Sequence, residues 1–266
     1  MRIAVPIKQV PETGAVKMDE ATGTMIREGV EAIVNPLDLY GLELAIRLRE
    51  AGQADDVVAI SMGPPMAERA IREAVAMGCD RGVLISDRAF AGSDTWATSY
   101  VLAAAIRKLG GFELVICGER ATDGDTGQVG PGIASFLDLP VVTYVSRVRG
   151  LEAGRIVVER LVEDGQEVLE AELPAVLTVV KAIGDPRLPT LRGKQKARKV
   201  EVPRWTPADL DVEADSLGLS GSPTRVVKIF RPTVARECEK LHVTDEASAG
   251  QAAERVVAFL REKNLL

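Results

Sequence analysis

Residues 113–137 read ELVICGERATDGDTGQVGPGIASFL, an apolar run that stops in glycine, acid and threonine and then resumes as a helix. Leu114, Val115 and Ile116 are the β-branched-rich run expected of a buried parallel strand, and Ile133, Phe136 and Leu137 recur at helical spacing. A strand-to-helix turn lies between them. In an open α/β sheet such a turn sits at the carboxyl end of its strand, where ligands bind, and the first free N–H groups of the next helix face the crevice. Thr126, Gly127, Gln128, Val129 and Gly130 are therefore a candidate anion cradle. Gly127 and Gly130 would let the backbone approach a phosphate, and the Thr126 hydroxyl would cap the helix or donate to a phosphate oxygen. Ordinary turn chemistry uses the same residues, the spacing of Gly127, Gly130 and Gly132 reverses the dinucleotide fingerprint, and no P-loop lysine follows. Spacing alone leaves both readings open. Asp123 and Asp125 could suggest magnesium, but two carboxylates without other spaced ligands more often cap turns, so no metal is assigned.

Outward from this turn, strands and helices alternate. Residues 2–8 read as the first strand, with Pro6 inside it. A proline cannot donate to a ladder, so either the strand ends near Val5 or Pro6 lies where the ladder is already open, at the rim of a crevice. Residues 18–34 read as a β excursion. Asn35 as cap and Pro36 at the first helical position open a helix with Leu42, Ala45, Ile46 and Arg49 on one face, which stops at Gly52. Residues 56–61 make a second strand. Ala67, Ala70, Ile71, Ala74 and Val75 line a helix closed by Gly78. Residues 81–86 make a third strand, and Ser93 would cap a helix over Ala97, Tyr100, Val101, Ala104 and Ala105. The alternation predicts an α/β fold, a doubly wound, mostly parallel sheet with right-handed crossovers.

Past Pro140 the rhythm changes. Residues 141–148, 155–162 and 166–172 read as a β meander (about 141–172), and residues 175–180 as a buried strand. Residues 185–204 are rich in proline and base and read as a solvated loop, residues 205–224 as a linker and residues 225–230 as a strand. Thr244 would cap a last helix with Ala249, Ala252, Ala253, Val256 and Leu260 on one face. The expected division is an α/β domain over residues 1–200, then a linker and C-terminal arm over residues 201–266.

The chain has 266 residues, 46% of them hydrophobic, enough for a sizeable core. A net charge of −6 and a pI near 5.1 argue against a nucleic-acid partner, because neutralising phosphates takes surplus lysine and arginine. No run approaches the ~18 apolar residues of a membrane span, and the start passes directly into a strand, so a cytoplasmic location is expected. Cys79, Cys117 and Cys238 are odd in number and far apart, which predicts reduced, mostly buried thiols. His242 is the only histidine and lacks a glycine-rich nucleophile turn nearby, so no hydrolytic site and no catalytic residue is assigned.

The segment CGERATDGDTGQVGP at residues 117–131 resembles the signature of the β subunit of electron-transfer flavoproteins, with Arg120 for the usual glutamine and Gly127 for the usual alanine. The similarity continues through IAVPIKQVPETG at 3–14, NPLDLYGLELAIRL at 35–48, MGPPMAERAIREAVAMGCDRGVLISD at 62–87 and DPRLPTLRGKQKARK at 185–199, so it covers nearly the whole chain in family order. It implies an adenine nucleotide alpha hydrolase-like, Rossmann-like fold and a heterodimer with an α subunit that carries one flavin. The β subunit of non-bifurcating members holds AMP, whereas that of bifurcating members holds a second FAD and uses NADH. Residues 86–99, SDRAFAGSDTWATS, are similar to the second-flavin branch, so FAD is the expected cofactor, with AMP as the alternative and NAD as substrate.

The resemblance further implies that Pro6 and Lys8 end the first strand beside the nucleotide, that Asn35, Pro36, Leu37 and Asp38 lie near the adenine, and that Ser61, Met62 and Gly63 lie beside the nucleotide. Asp123, Gly124, Asp125, Thr126, Gly127, Gln128, Val129, Gly130 and Ile133 would surround the phosphates. Phe90, Asp94, Thr95 and Thr98 would meet a flavin, although an aromatic in a loop such as Phe90 can also simply plug the core, and Ser93, Asp94 and Thr95 also suit plain helix capping. The loop over about residues 185–199, with Leu191 at its tip, corresponds to the family's recognition loop for an acyl-CoA-type dehydrogenase. The C-terminal arm would embrace the α subunit, and ferredoxin or flavodoxin would take electrons in a bifurcating complex. A stand-alone adenine-nucleotide sensor is the competing reading from another class.

Overall fold

A computed structural model describes residues 1–12, 17–18, 25–26, 32–152, 154–227 and 238–266. They form two compact units, Met1–Lys228 and Ile229–Leu266. The first is built on a nine-stranded sheet of β1 (Arg2–Pro6), β2 (Asp56–Met62), β3 (Arg81–Ile85), β4 (Leu114–Gly118), β5 (Val141–Glu152), β6 (Arg155–Val162), β7 (Gly165–Glu172), β8 (Ala175–Val179) and β9 (Arg204–Trp205). Its spatial order is β7-β6-β5-β8-β4-β1-β2-β3-β9. From β5 across to β9 every neighbouring pair is parallel, while β5, β6 and β7 pair antiparallel. The meander expected at residues 141–172 is thus an extension of the main sheet, and β8 inserts between it and β4.

Helices α1 (Asp38–Glu50), α2 (Glu68–Met77), α3 (Thr95–Leu109), α4 (Val129–Leu137) and α5 (Leu191–Lys199) belong to this unit. Ile3, Val5, Val57 and Ala59 face one core with Leu42, Ile46 and Ile71 of α1 and α2. Ala4, Val58 and Ile60 face the other with Val101, Ile106 and Ile133 of α3 and α4. Both sheet faces are covered, which explains strands that read as continuous apolar runs rather than alternating ones. Each fully buried Ile or Leu contributes about 1.5–3 kcal/mol by leaving water.

Several expectations change. Asn35 does not cap α1: the helix begins at Asp38, whose N–H is taken by the Asn35 backbone oxygen, and the Asn35 side chain is used elsewhere. Ser93 is not the cap of α3; Asp94 is, accepting from the Ala97 amide at 3.1 Å. Residues 191–199 are a helix rather than a solvated loop, because Thr190 caps it, its last turn carries Lys196, Arg198 and Lys199 against the helix dipole, and Ala197 buries with Val75 and Ala76. The supposed linker folds into the first unit: Trp205 pairs with Ile85, and Leu210 and Leu217 are buried in the α3–α4 core. The boundary therefore falls after residue 228 and not at residue 200.

Residues 225–227 form no strand, and the rest of the strand expected at 225–230 lies outside the described residues, as does most of the excursion at 18–34. Cys79 and Cys117 are buried, whereas Cys238 is exposed. The second unit holds α6 (Glu246–Glu262), capped by Asp245 and not by Thr244: Asp245 accepts from the Ser248 amide, and the Ser248 hydroxyl receives the Asp245 amide. No described helix is long and apolar enough to cross a membrane.

Candidate nucleotide-binding site

Strand β1 is flanked by β2 and β4, the point at which successive strands stop adding on one side and start adding on the other. Crossovers on opposite faces diverge there and leave a crevice beyond the strand ends. Pro6 marks the divergence. In a parallel strand the N–H groups of successive residues face alternate neighbours, and the Ile7 amide donates to Ile60 of β2. The Pro6 nitrogen therefore faces β4, where register pairing has already ended at Ala4 with Val115. A residue without an N–H sits where no ladder bond is available.

The crevice walls are cross-tied. The Lys8 amide donates to Asp38 Oδ2 at 2.7 Å, and Lys8 Nζ reaches Asp123 Oδ1 at 2.7 Å. Asn35, fully buried, donates through Nδ2 to the Arg120 carbonyl at 2.9 Å and accepts the Thr122 amide at 3.2 Å. Its side chain thus holds the start of the β4–α4 loop, which is why it is unavailable to α1. Gly118 is required by the same convergence, since a Cβ there would lie 2.5 Å from Asp38 Oδ1 and 2.8 Å from the Leu37 carbonyl. Burial pushes the Asp38 carboxyl up to about 7, with the Lys8 amide bond pulling it back only in part. A buried carboxyl of this kind beyond the strand ends makes the place a candidate functional site. Pro36 is exposed and Leu37 half-buried beside it.

The β4–α4 loop presents donors. Its own carbonyls take the amides of Gly124 and Asp125, both from Ala121. Among the described residues, no protein acceptor meets the amides of Thr126, Gly127, Gln128, Val129 or Gly130. The neighbouring acids are engaged, Asp123 by Lys8 and Asp125 by Arg120 Nε at 3.1 Å. This row of uncharged N–H groups, without a protein acceptor among the described residues, lies at the positive end of a helix dipole. Thr126 does not cap that helix: α4 begins at Val129, with Gln128 at the cap position and no side-chain cap bond.

The two glycines serve different ends. Gly127 has φ +65°, with open space around it except for the Glu119 carbonyl at 3.5 Å, so its need is conformational. Gly130 is steric: a Cβ there would meet Thr178 Cγ2 at 2.4 Å, so the first turn of α4 lies directly on β8. Ile133, fully buried, anchors the helix to the core.

The other expected positions divide. Thr95, at the start of α3, lies 3.4 Å from Gln128 through its hydroxyl, and Ser99 beneath it bonds the Val129 carbonyl, so the α3 and α4 starts converge. Thr98 is half-buried on the same helix. Asp94 spends its carboxylate on the protein, taking Ala97, Thr224 N–H and Thr224 hydroxyl, and these bonds outweigh partial burial to hold it below the usual carboxylate range. Phe90 is 5% exposed and packs with Leu210 and Leu217 in the core, away from an open surface. At the β2 end the Gly63 amide bonds Ile85, Met62 leans into the α3–α4 core, and the buried Ser61 hydroxyl has no partner among the described residues.

Two features carried no sequence signal. The burial of Asp38 depends on Gly118, eighty residues away in the chain, letting the helix start close on β4. Tyr144 adopts φ +57° at an irregularity of β5 and donates its amide to Thr178 Oγ1 at 3.1 Å. That conformation costs a bulky residue of order 1–3 kcal/mol, and nothing in the pattern of β5 announces it.

Known proteins resemble this chain along its length. The electron transfer flavoprotein domain profile matches residues 22–210. The chain is 50% identical over 240 residues to electron transfer flavoprotein subunit beta of Thermoanaerobacterium thermosaccharolyticum, covering 90% of this chain and 91% of that protein. It is 43% identical over 266 residues to caffeyl-CoA reductase-Etf complex subunit CarD of Acetobacterium woodii, covering all of both. It is 39% identical over 273 residues to protein FixA of Azotobacter vinelandii, covering 100% and 97%. The switch point at β1, the helix that starts beyond β4 and these matches along the length of the chain lead to one conclusion: this chain belongs to the electron transfer flavoprotein β-subunit family, and its role is in electron transfer.

Proposed function

We propose that the chain is the β subunit of a heterodimeric, electron-bifurcating electron transfer flavoprotein that binds FAD in the crevice between β1 and β4. The observation that carries the reading is the row of amides from Thr126 to Gly130 without a protein acceptor among the described residues. A diphosphate fits it, since backbone donors at a helix start accept negative charge without a second desolvated cation. The Ser61 hydroxyl, without a partner among the described residues, and the Lys8 ammonium would face the same ligand. A flavin bound here would supply hydride acceptance from NADH and release of single electrons. The chain's own contribution is to bind and orient: Lys8 and Asp123 bridge the mouth, Asn35 fixes the loop, and the α3 start at Thr95 and Thr98 offers small hydroxyls to the flavin's polar chain.

Electrons would pass to a ferredoxin or flavodoxin and, through the α-subunit flavin, to an acyl-CoA-type dehydrogenase. A relative named as part of a caffeyl-CoA reductase complex supports a partner that acts on an acyl-CoA. Leu191, 82% exposed at the start of α5, would be a contact for that partner, and the exposed apolar side chains of α6 would seat the α subunit.

The test is the nucleotide content of the gently purified heterodimer. A second flavin per dimer together with reduction by NADH supports the proposal. A single flavin plus AMP would make this a non-bifurcating carrier with a structural nucleotide. Failure to form any complex with an α subunit, with nucleotide still bound, would point instead to an adenine-nucleotide sensor.

A further inference from the structure

Residues 184–190 carry no regular secondary structure, yet α1 grips the chain on their N-terminal side through a dense set of bonds. Arg47 donates to the carbonyls of Ile183 at 3.4 Å and Asp185 at 3.3 Å. Glu43, 3% exposed, accepts the Arg187 amide at 3.0 Å, Arg187 Nε at 2.9 Å and Nη2 at 3.2 Å, and Arg47 Nε at 2.7 Å. Glu50 takes the outer edge of the same guanidinium at 2.5 and 2.8 Å. On the C-terminal side, Thr190 caps α5, and α5 is pressed on α2 so closely that a Cβ at Gly193 would lie 2.0 Å from the Ala76 carbonyl. Between these two anchors stand Leu188 and Leu191, 86% and 82% exposed.

We propose that Glu43 closed on Arg187 is a latch that holds the tip at residues 188–191 ready for a partner dehydrogenase, making both side chains positioning residues for electron transfer. The inference rests on reading that tip as the partner surface. A loop tip that must order on docking loses affinity to its own entropy, and one held in advance does not. Closed, the buried Glu43 carboxylate is fully bonded; with Arg187 withdrawn it would keep Arg47 Nε on one oxygen and leave the other buried without a donor, which is disfavoured. Only arginine can make this closure, because its planar fork meets two carboxylates at once while lysine presents a single point. The basic residues beside the tip, Arg192 and Lys194, call for an acidic rim on the partner.

The experiment uses the cofactor-loaded heterodimer, a purified short-chain acyl-CoA dehydrogenase as acceptor, and dithionite as a small reductant. Arg187→Lys and Glu43→Gln should each raise the KM for the dehydrogenase about tenfold, as expected when a hot spot is no longer held in place. Flavin content, reduction by dithionite and kcat at saturating dehydrogenase should stay unchanged. In a Leu188→Ala/Leu191→Ala background the same substitutions should add nothing. If the leucine pair raises KM while the latch variants leave it unchanged, or if the latch effect persists undiminished without the leucines, the latch is overturned and the tip reading stands. If the leucine pair has no effect, the tip reading falls and the latch with it. Arg187→Lys keeps a charge on a partly exposed side chain, so the test survives should Glu43→Gln fail to fold.

Discussion

The amide of Lys8 donates to Asp38 Oδ2 at 2.7 Å, tying the end of β1 to the first residue of α1 at the mouth of the crevice. Because burial raises the Asp38 carboxyl to about 7, the folded chain keeps a proton there that the unfolded chain releases near the ordinary aspartate value. A folded state that holds the extra proton loses stability as pH rises. Relative to acid conditions, this group's contribution is intact near pH 4 and is lost progressively up to about pH 7, on the order of a few kcal/mol. Asp38→Asn keeps an acceptor for the Lys8 amide and removes the charge. The unfolding free energy of wild type minus variant should therefore fall across that window, read by urea denaturation at stepped pH. A flat difference would show that Asp38 titrates normally.

Gly130→Ala sets two effects of opposite sign against each other. Alanine favours a helix by about 0.5–1 kcal/mol over glycine, but here its methyl would meet Thr178 Cγ2 at 2.4 Å. Overpacking costs about 1–3 kcal/mol and should win, with the α4 start pushed off β8 and nucleotide lost on gel filtration. Thr178→Ser deletes the offending methyl and keeps the hydroxyl that receives the Tyr144 amide. The double variant should recover both stability and bound nucleotide. Failure to recover would mean that the clash lies elsewhere.

That pair also shows what was legible in the sequence. The importance of Gly130 could be read from a strand-to-helix turn, but its physical reason could not, because Thr178 comes from a strand inserted between β4 and the meander by a non-local pairing. Local rhythm gave the parallel α/β core and placed the switch-point turn correctly, since apolar periodicity is a local property. Caps were misplaced by one or a few residues, at Asn35, Ser93 and Thr244, because neighbouring polar residues compete for the role and tertiary bonds choose among them. Residues 191–199 looked like a solvated run because their helix buries little beyond Ala197. Phe90 plugs the core, the alternative its place in a loop left open, but its partners Leu210 and Leu217 return from more than a hundred residues away, which no window could show.

Lys8→Met separates binding from folding. The Lys8 side chain is 48% exposed in its pair with Asp123, so the pair contributes at most about 1 kcal/mol to stability. A charge-assisted bond to a phosphate oxygen is worth roughly 1.5–3 kcal/mol, which corresponds to a loss of about tenfold or more in nucleotide affinity. Thermal unfolding of the nucleotide-free variant should hardly move, while nucleotide titration should weaken and become less sensitive to salt. Equal losses in both measurements would remove Lys8 from the site.

Helix α6 carries Val256 and Phe259 at 50% and 46% exposure, and none of its residues is buried. An isolated helix of this length is marginal in water unless an apolar face is covered, and the Asp245 cap contributes only about 1 kcal/mol. Val256 and Phe259 lie one turn apart on the helix, close to Leu260, so a single partner groove could cover them together. Val256→Asp with Phe259→Asp should therefore leave the unfolding transition of the first unit and its nucleotide in place, and abolish co-purification with the α subunit. A heterodimer that survives both aspartates would mean that α6 is not what the α subunit grips.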